Sequence, residues 1–241
     1  QAWCDLSLPA YTSDIIDVGI QNNGVEHVVP EKMTADEFDT AQFIMTDKET
    51  NTWKDIYEKK DDLYELKDLS NKELNDIDEE LTIPLIMNYQ MRAMEVDTFK
   101  ETIAKQMGKD VSAFADMSVE DIGAMMHVNL KSFKQEKEDD DGNKVKVDCV
   151  DVRPIFANML ASGAMEKDQI LSMRDTMEDT IDTMGSSLVK SMGIAYAVAA
   201  DKDAGVNVDK IQKSYLLSAG LKMVGMALLM GLVTVLVGFF A

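Results

Sequence analysis

The stretch EDDDGNKVKVD, Glu138 to Asp148, is where this 241-residue chain first suggests ligand chemistry. Placing Gly142 at the sixth position of an EF-hand loop puts Lys137 at position one and Asp148 at position twelve. A lysine cannot ligate calcium, and the last position requires a bidentate Glu, so the stretch reads as a solvated acidic turn. The two histidines, His27 and His127, are far apart and have no HExxH or Cys–His spacing near them. They offer no constellation for zinc or for nucleophilic catalysis and read as surface or satisfied histidines. The one Gly–Lys pair, Gly108–Lys109, has no GxxxxGK[ST] pattern around it, so the chain has no phosphate loop. Eighteen methionines could line a groove for flexible apolar ligands or soft copper. The plainer reading is helix packing, because Met87, Met91 and Met94 share one helical face. No catalytic, cofactor-binding or metal residue is therefore expected, and no enzymatic activity.

The chemistry that remains is that of a membrane. From Met223 to Ala241 no residue is charged. As a helix those residues span roughly 28 Å, close to the ~30 Å hydrocarbon core of a bilayer. Gly220, Ala227, Gly231, Thr234 and Gly238 fall along one stripe, where small side chains let a second membrane helix approach closely. The chain opens at Gln1 inside another apolar run with no basic leader, unlike a signal peptide. Both ends are accordingly expected to be cuts in a longer protein. In that first run Asp5 lies roughly 18 Å along a helix from Asp17. If Asp17 marks the interface, Asp5 sits near the bilayer midplane. There it lines a pathway, or it caps or pairs with a neighbouring helix.

These segments must be held by what lies between them. Removing Asp5, Asp14, Asp17 and Lys222 from the totals of 44 acids and 24 bases leaves 41 and 23 for residues 21–213, a net charge of −18. This excludes nucleic acid as a partner and disfavours docking on anionic headgroups. Cys4 and Cys149 make no disulfide framework, so the region must rely on a hydrophobic core. The periodicity is helical. Ser or Thr precedes an acid by three residues at Thr34/Glu37, Thr46/Glu49, Ser70/Glu73 and Ser118/Asp121, the last being the weakest because Glu is the usual acid.

Apolar residues follow at helical spacing: Phe38, Ala41 and Met45; Trp53, Ile56 and Tyr57; Leu74, Ile77 and Leu81; Val119, Ile122, Met126, Leu130 and Phe133. Later helices carry Met173, Met177, Ile181, Met184, Leu188 and Met192. Pro84 should bend or break the helix begun at Ser70. Residues 135–148 read as a charged loop leading into a short strand at Val145 and Val147. Pro154 suits the first turn of a helix, and Gly205 with Asn207 suits a turn and N-cap before a helix from Val208. The expected fold is mainly α: a helical domain between two membrane helices, with one small β-hairpin or short strand near 143–152.

Read together, the two ends resemble a known family. LSLPAYTSDIIDVGIQNNG, Leu6 to Gly24, resembles the outer half of the first membrane helix of ATP-binding-cassette (ABC) exporters. Ile15, Ile16, Asp17, Gly19 and Ile20 match its "IIDxGI"-like exit. IQKSYLLSAGLKMVGMALLMGLVTVLVGFFA resembles the second membrane helix. The resemblance covers roughly the first twenty-four and last thirty-one residues. It implies residues 1–20 as the outer part of the first span, 21–213 as an extracytoplasmic domain, and 214–241 as a truncated second span. Most such exporters join these helices by a short turn. The long insert is similar to a subset of bacterial multidrug- or lipid-type exporters. The resemblance further implies a multi-pass plasma-membrane protein, a second exporter half as partner, and ATP with Mg²⁺ in a nucleotide-binding domain outside this chain. Two other readings fit the layout: a mechanotransmission-type permease, whose external domain is strand-rich, and a membrane-anchored extracellular binding module.

Overall fold

The computed structural model describes residues 12–13, 15–138, 144–181, 183 and 185–222. The described chain is mainly helical. A wide π-helical segment, Ile15–Gln21, comes first, followed by β1 (Lys32–Thr34), α1 (Ala35–Thr40), a 3₁₀ turn at Ala41–Ile44, and α2 (Asp47–Ile56). The hairpin β2 (Tyr57–Lys60) and β3 (Leu63–Leu66) leads to α3 (Asn71–Arg92), β4 (Met94–Glu95), α4 (Val96–Gln106) and α5 (Val119–Met125). Then come β5 (Ser132–Glu138), β6 (Lys144–Val150), α6 (Arg153–Ala161), α7 (Lys167–Ile181) and α8 (Ser186–Asp203). A last helix, α9, is described over 208–222.

These elements form two compact units that alternate along the chain. The first takes residues up to 38, 51–82 and those from 184 on; the second takes 39–50 and 83–183.

The first unit is built on an aromatic core. Its antiparallel sheet has the order β1-β3-β2, with Met33 opposite Tyr64 and Tyr57 opposite Leu66. Lys60 pairs with Leu63, so only Asp61 and Asp62 turn the hairpin, and Asp61 takes the left-handed conformation (φ 54°) that such tight turns need. Phe38 stacks on Tyr64 with ring centroids 3.7 Å apart. Trp53, wholly buried, donates its indole N–H to the Phe38 carbonyl at 3.1 Å. The Tyr57 hydroxyl donates to the Pro30 carbonyl at 2.9 Å. Each polar tip thus finds an acceptor while the rings remain apolar filling.

The second unit packs helices on a sheet of order β4-β6-β5. Phe99, Ile103, Phe114, Val119, Ile122 and Leu130 form its main core with Val150 and Ile155. A smaller cluster joins Ile44, Met87 and Ile170. Glu49 has two tasks here. Its Oε2 accepts the Thr46 N–H at 2.8 Å at the start of α2, and both its oxygens hold the Arg174 guanidinium at 2.6 and 2.7 Å. Both residues are buried.

Several sequence expectations need correction. Pro84 does not end α3, which runs through it for 22 residues. One lost hydrogen bond is offset by the burial of Leu81, Leu85, Ile86 and Met87 around it. Met94 leaves that helix for β4, and Tyr57 leaves α2 for β2. The helix expected through Leu130 and Phe133 stops at Met125. His127 adopts a left-handed conformation (φ 56°), and Phe133 lies in β5. Most of the supposed loop 135–148 is the β5–β6 hairpin, paired from Ser132↔Val150 to Glu138↔Lys144; Gly142 and the other residues of 139–143 lie outside the described residues. The sheet of the first unit was not expected at all.

Other expectations hold. Pro154 opens α6, and Asn207 Oδ1 accepts the Lys210 N–H at 2.9 Å before α9. Among the described residues no helix is long and apolar enough to cross a membrane. Residues 1–11 and 223–241, most of both expected spans, lie outside them.

The buried ion pair gives a test. Arg174→Met leaves Glu49 charged and buried, and should cost roughly 3–5 kcal/mol of stability. The double variant Glu49→Leu/Arg174→Met should regain most of that loss. Chemical denaturation of the three proteins measures both.

Candidate functional site

The site is assembled from the carboxylate of Asp78. Ser70 and Glu73 cap α3 reciprocally, with Ser70 N–H to Glu73 Oε2 at 2.8 Å and Glu73 N–H to Ser70 Oγ at 3.3 Å. The buried Ile77 and Leu81 then fix which face of α3 turns inward. Asp78, between them in sequence, is carried inward with them and is 5% exposed. It is satisfied from three directions. The Val28 N–H reaches Oδ1 at 2.9 Å, while Oδ2 takes His27 Nδ1 at 2.9 Å and Lys190 Nζ from α8 at 2.8 Å.

Burial pushes this carboxyl upward, but the hydrogen bonds from His27, Lys190 and Val28 outweigh it and hold the acid below its ordinary value. Asp78 is then an acceptor only, so His27 donates through Nδ1.

His27 and Lys190, both held by Asp78, line an open cleft of about 330 Å³. Asp17 and Asn22 line it from the π-helical segment and the turn after it, Glu26 from the irregular stretch beyond, Asn71 and Asn75 from α3, and Ser187 from α8. Asn22 is held by Ser191, whose Oγ donates to its Oδ1 at 2.6 Å. Cations and carboxylates face each other across amides, which suits a polar molecule bearing charges of both signs. Among the described residues no group of three or more His, Cys, Asp or Glu is placed to hold a metal ion.

Beside the cleft runs a tight seam between Ile15–Gln21 and α9. A Cβ on Gly19 would lie 2.5 Å from Leu216 Cδ2, and one on Gly24 only 2.8 Å from the Gln212 Cα. Gly24 also has φ +78°, where a side chain is strained. The Gln212 side-chain amide closes the seam by donating to the Gly19 carbonyl at 2.9 Å. Gly24 meets residues 212 and 215, and Gly19 meets 215, 216 and, through its carbonyl, 212, so the two segments lie side by side.

A second buried acid lies deeper. Asp201 near the end of α8 is 1% exposed; its Oδ1 accepts the Lys32 N–H at 2.8 Å, and its Oδ2 has no hydrogen-bond partner among the described residues. Burial raises its pKa to about 7, against the pull of the Lys32 and Glu31 N–H groups. Tyr57 is raised well above its ordinary value, first by burial and then by Tyr196 and Asp201 nearby.

Of the residues singled out in sequence, Gly220 sits on α9, where an added methyl group would meet nothing within 4 Å. Asp5, Ala227, Gly231, Thr234 and Gly238 lie outside the described residues. His27 is a satisfied histidine, and it also lines the cleft; His127 belongs to the other unit. Asp78 and Lys190 were missed. The signal for Asp78 was an acid at position i+1 from Ile77 and i−3 from Leu81, inside an apolar stripe. Compared with known proteins, the chain matches no family model, no curated protein and no solved structure.

Asp201 sets a pH dependence. Its folded pKa is raised above the unfolded value near 3.9, so protonation favours the fold, and stability falls as pH rises from about 4 through 7. Asp201→Asn keeps the acceptor for Lys32 and removes the charge. It should equal the parent below about pH 4 and exceed it at pH 8 by up to roughly 4 kcal/mol. Unfolding midpoints at the two pH values read this directly.

Proposed function

We propose that this chain is part of the transmembrane domain of an ATP-driven ABC exporter of multidrug or lipid type. Residues 21–213 then form an extracytoplasmic domain between its first two membrane helices, and act as a cap or interaction module. The observation that carries this reading is the close seam of Gly19 and Gly24 on α9. An insert between neighbouring membrane helices must start and finish side by side, and this seam supports such an arrangement.

Ile16, Ile20, Leu217 and Leu221 on those two segments are 45–67% exposed, which suits chain ends entering an apolar phase. In this reading Asp5 is the pathway or helix-pairing residue. The stripe from Gly220 to Gly238 packs on a neighbouring helix. The partner is a second exporter half, alike or different. ATP and Mg²⁺ act in a nucleotide-binding domain beyond this chain, and alternating access moves substrate outward.

A second reading, a membrane-anchored extracellular binding module, is favoured by one observation, the mixed-charge cleft at His27 and Lys190. The mechanotransmission-type permease is disfavoured because its external domain is strand-rich and this one is mainly helical.

The gene flanking the chain, and the purified full-length product, separate the readings. The exporter reading expects a downstream phosphate loop and vanadate-sensitive ATP hydrolysis. A reading frame that closes near Ala241, with no hydrolysis, would overturn it in favour of the anchored module.

A further inference from the structure

β5 is the open edge of the second unit's sheet, since the strand order is β4-β6-β5. Ser132, Phe133, Lys134 and Glu136 along it are exposed. Its backbone polarity can be read from one bond: the Ser132 N–H goes to Glu120 Oε1 at 3.3 Å, not to the opposing Val150. Val150 pairs with Met94 on its other side. In an antiparallel ladder the outward groups recur at every second residue, so the N–H and C=O of Lys134 and Glu136 also face away from β6. Among the described residues these edge groups have no strand beside them, which makes them a template for another strand.

The side chains specify which strand. Across the existing ladder Lys134 faces Asp148, with Nζ 3.2 Å from its Oδ1, and Glu136 faces Lys146. A second copy of β5, laid antiparallel about a two-fold axis at Gln135, sets its Glu136 against Lys134 and its Lys134 against Glu136. Each row then reads Asp148, Lys134, Glu136 of the second copy, Lys146 of the second copy, alternating in sign over four strands. Both new pairs are of the kind that exchange backbone hydrogen bonds. Shifting the axis to residue 134 or 136 puts like charges face to face, and of the registers centred on 133 to 136 only that at Gln135 opposes Lys134 with Glu136.

We infer that β5 is a self-pairing edge, through which two copies of this chain join their sheets in an isologous antiparallel contact centred on Gln135. This inference stands on the second unit alone and does not depend on the exporter reading. The contact is a single strand pair, well below the ~1,200 Å² of a standard stable interface, so it forms weakly and reversibly. The chain's net charge of −20 opposes it at long range, and about 0.15 M salt screens that repulsion beyond roughly 8 Å.

Disulfide trapping in the full chain tests both contact and register. At the axis the two Gln135 residues form a non-hydrogen-bonded pair with Cα atoms about 4.5 Å apart, within disulfide reach. In a Cys4→Ser background, with the buried Cys149 kept, Gln135→Cys should shift from the monomer to the dimer position on mild oxidation. Lys134→Cys alone and Glu136→Cys alone should not, because each lies two residues along from its own copy, but their mixture should. The mixture also covers the case in which losing the Gln135–Tyr89 hydrogen bond disturbs β5. Absence of a dimer band for both Gln135→Cys and the mixture, or equal self-linking of Lys134→Cys, overturns the inference.

Discussion

The seam between Gly19–Gly24 and α9 constrains the first unit more than any other contact. At Gly24 the constraint is double, since the backbone is left-handed and a methyl group would meet the Gln212 main chain. Gly19 meets the Leu216 side chain, which could move, so its constraint is softer. Together they let two helical segments approach closely where one enters the unit and the other leaves it. The Gln212 amide supplies the hydrogen bond that fixes their register. That closeness is the structural support for reading the chain as an inserted domain.

The polar groups of the first unit hang from the same frame. Asn22, held by Ser191, ties the turn after the π-helical segment to α8. Asp78 ties α3 to that α8 through Lys190 and to the incoming chain through His27 and Val28. The cleft is therefore bounded by segments already fixed to one another. A buried carboxylate held by a lysine, a histidine and a backbone N–H fixes those groups to one another. Asp201 differs: its second oxygen has no partner among the described residues, and its burial is tolerated because the proton can stay on until about neutral pH.

Local signals were legible in the sequence where one residue type has one backbone consequence. Ser118/Asp121 looked the weakest of the four caps, yet it forms a complete reciprocal box, with the Asp121 N–H to Ser118 Oγ at 3.1 Å. Pro154 and Asn207 were equally plain. Pairings distant in sequence were not legible. β3 has partners on both sides from segments that look helical or turn-like when read alone, and LYEL carries no clean alternation. β5 is polar apart from Phe133, and what marks it as a strand is its pairing with β6 along its whole length. Pro84 misled for a related reason: its penalty is local, whereas the compensating burial of Leu85 and Ile86 is tertiary. Of the site, His27 was visible but not its role; Lys190 gave no signal, lying among mixed residues of α8 far from any motif.

The most direct measurement is a spin-label distance across the seam. Labels at Ile20 and Leu217, both exposed, sit next to Gly19 and Leu216, which meet across the seam. With helices packed 8–10 Å apart, a single narrow distribution within roughly 20 Å is expected. A broad distribution centred well beyond that distance would contradict the inserted-domain reading, because the chain would then enter and leave the unit apart, and an insert between neighbouring membrane helices could not be built from it.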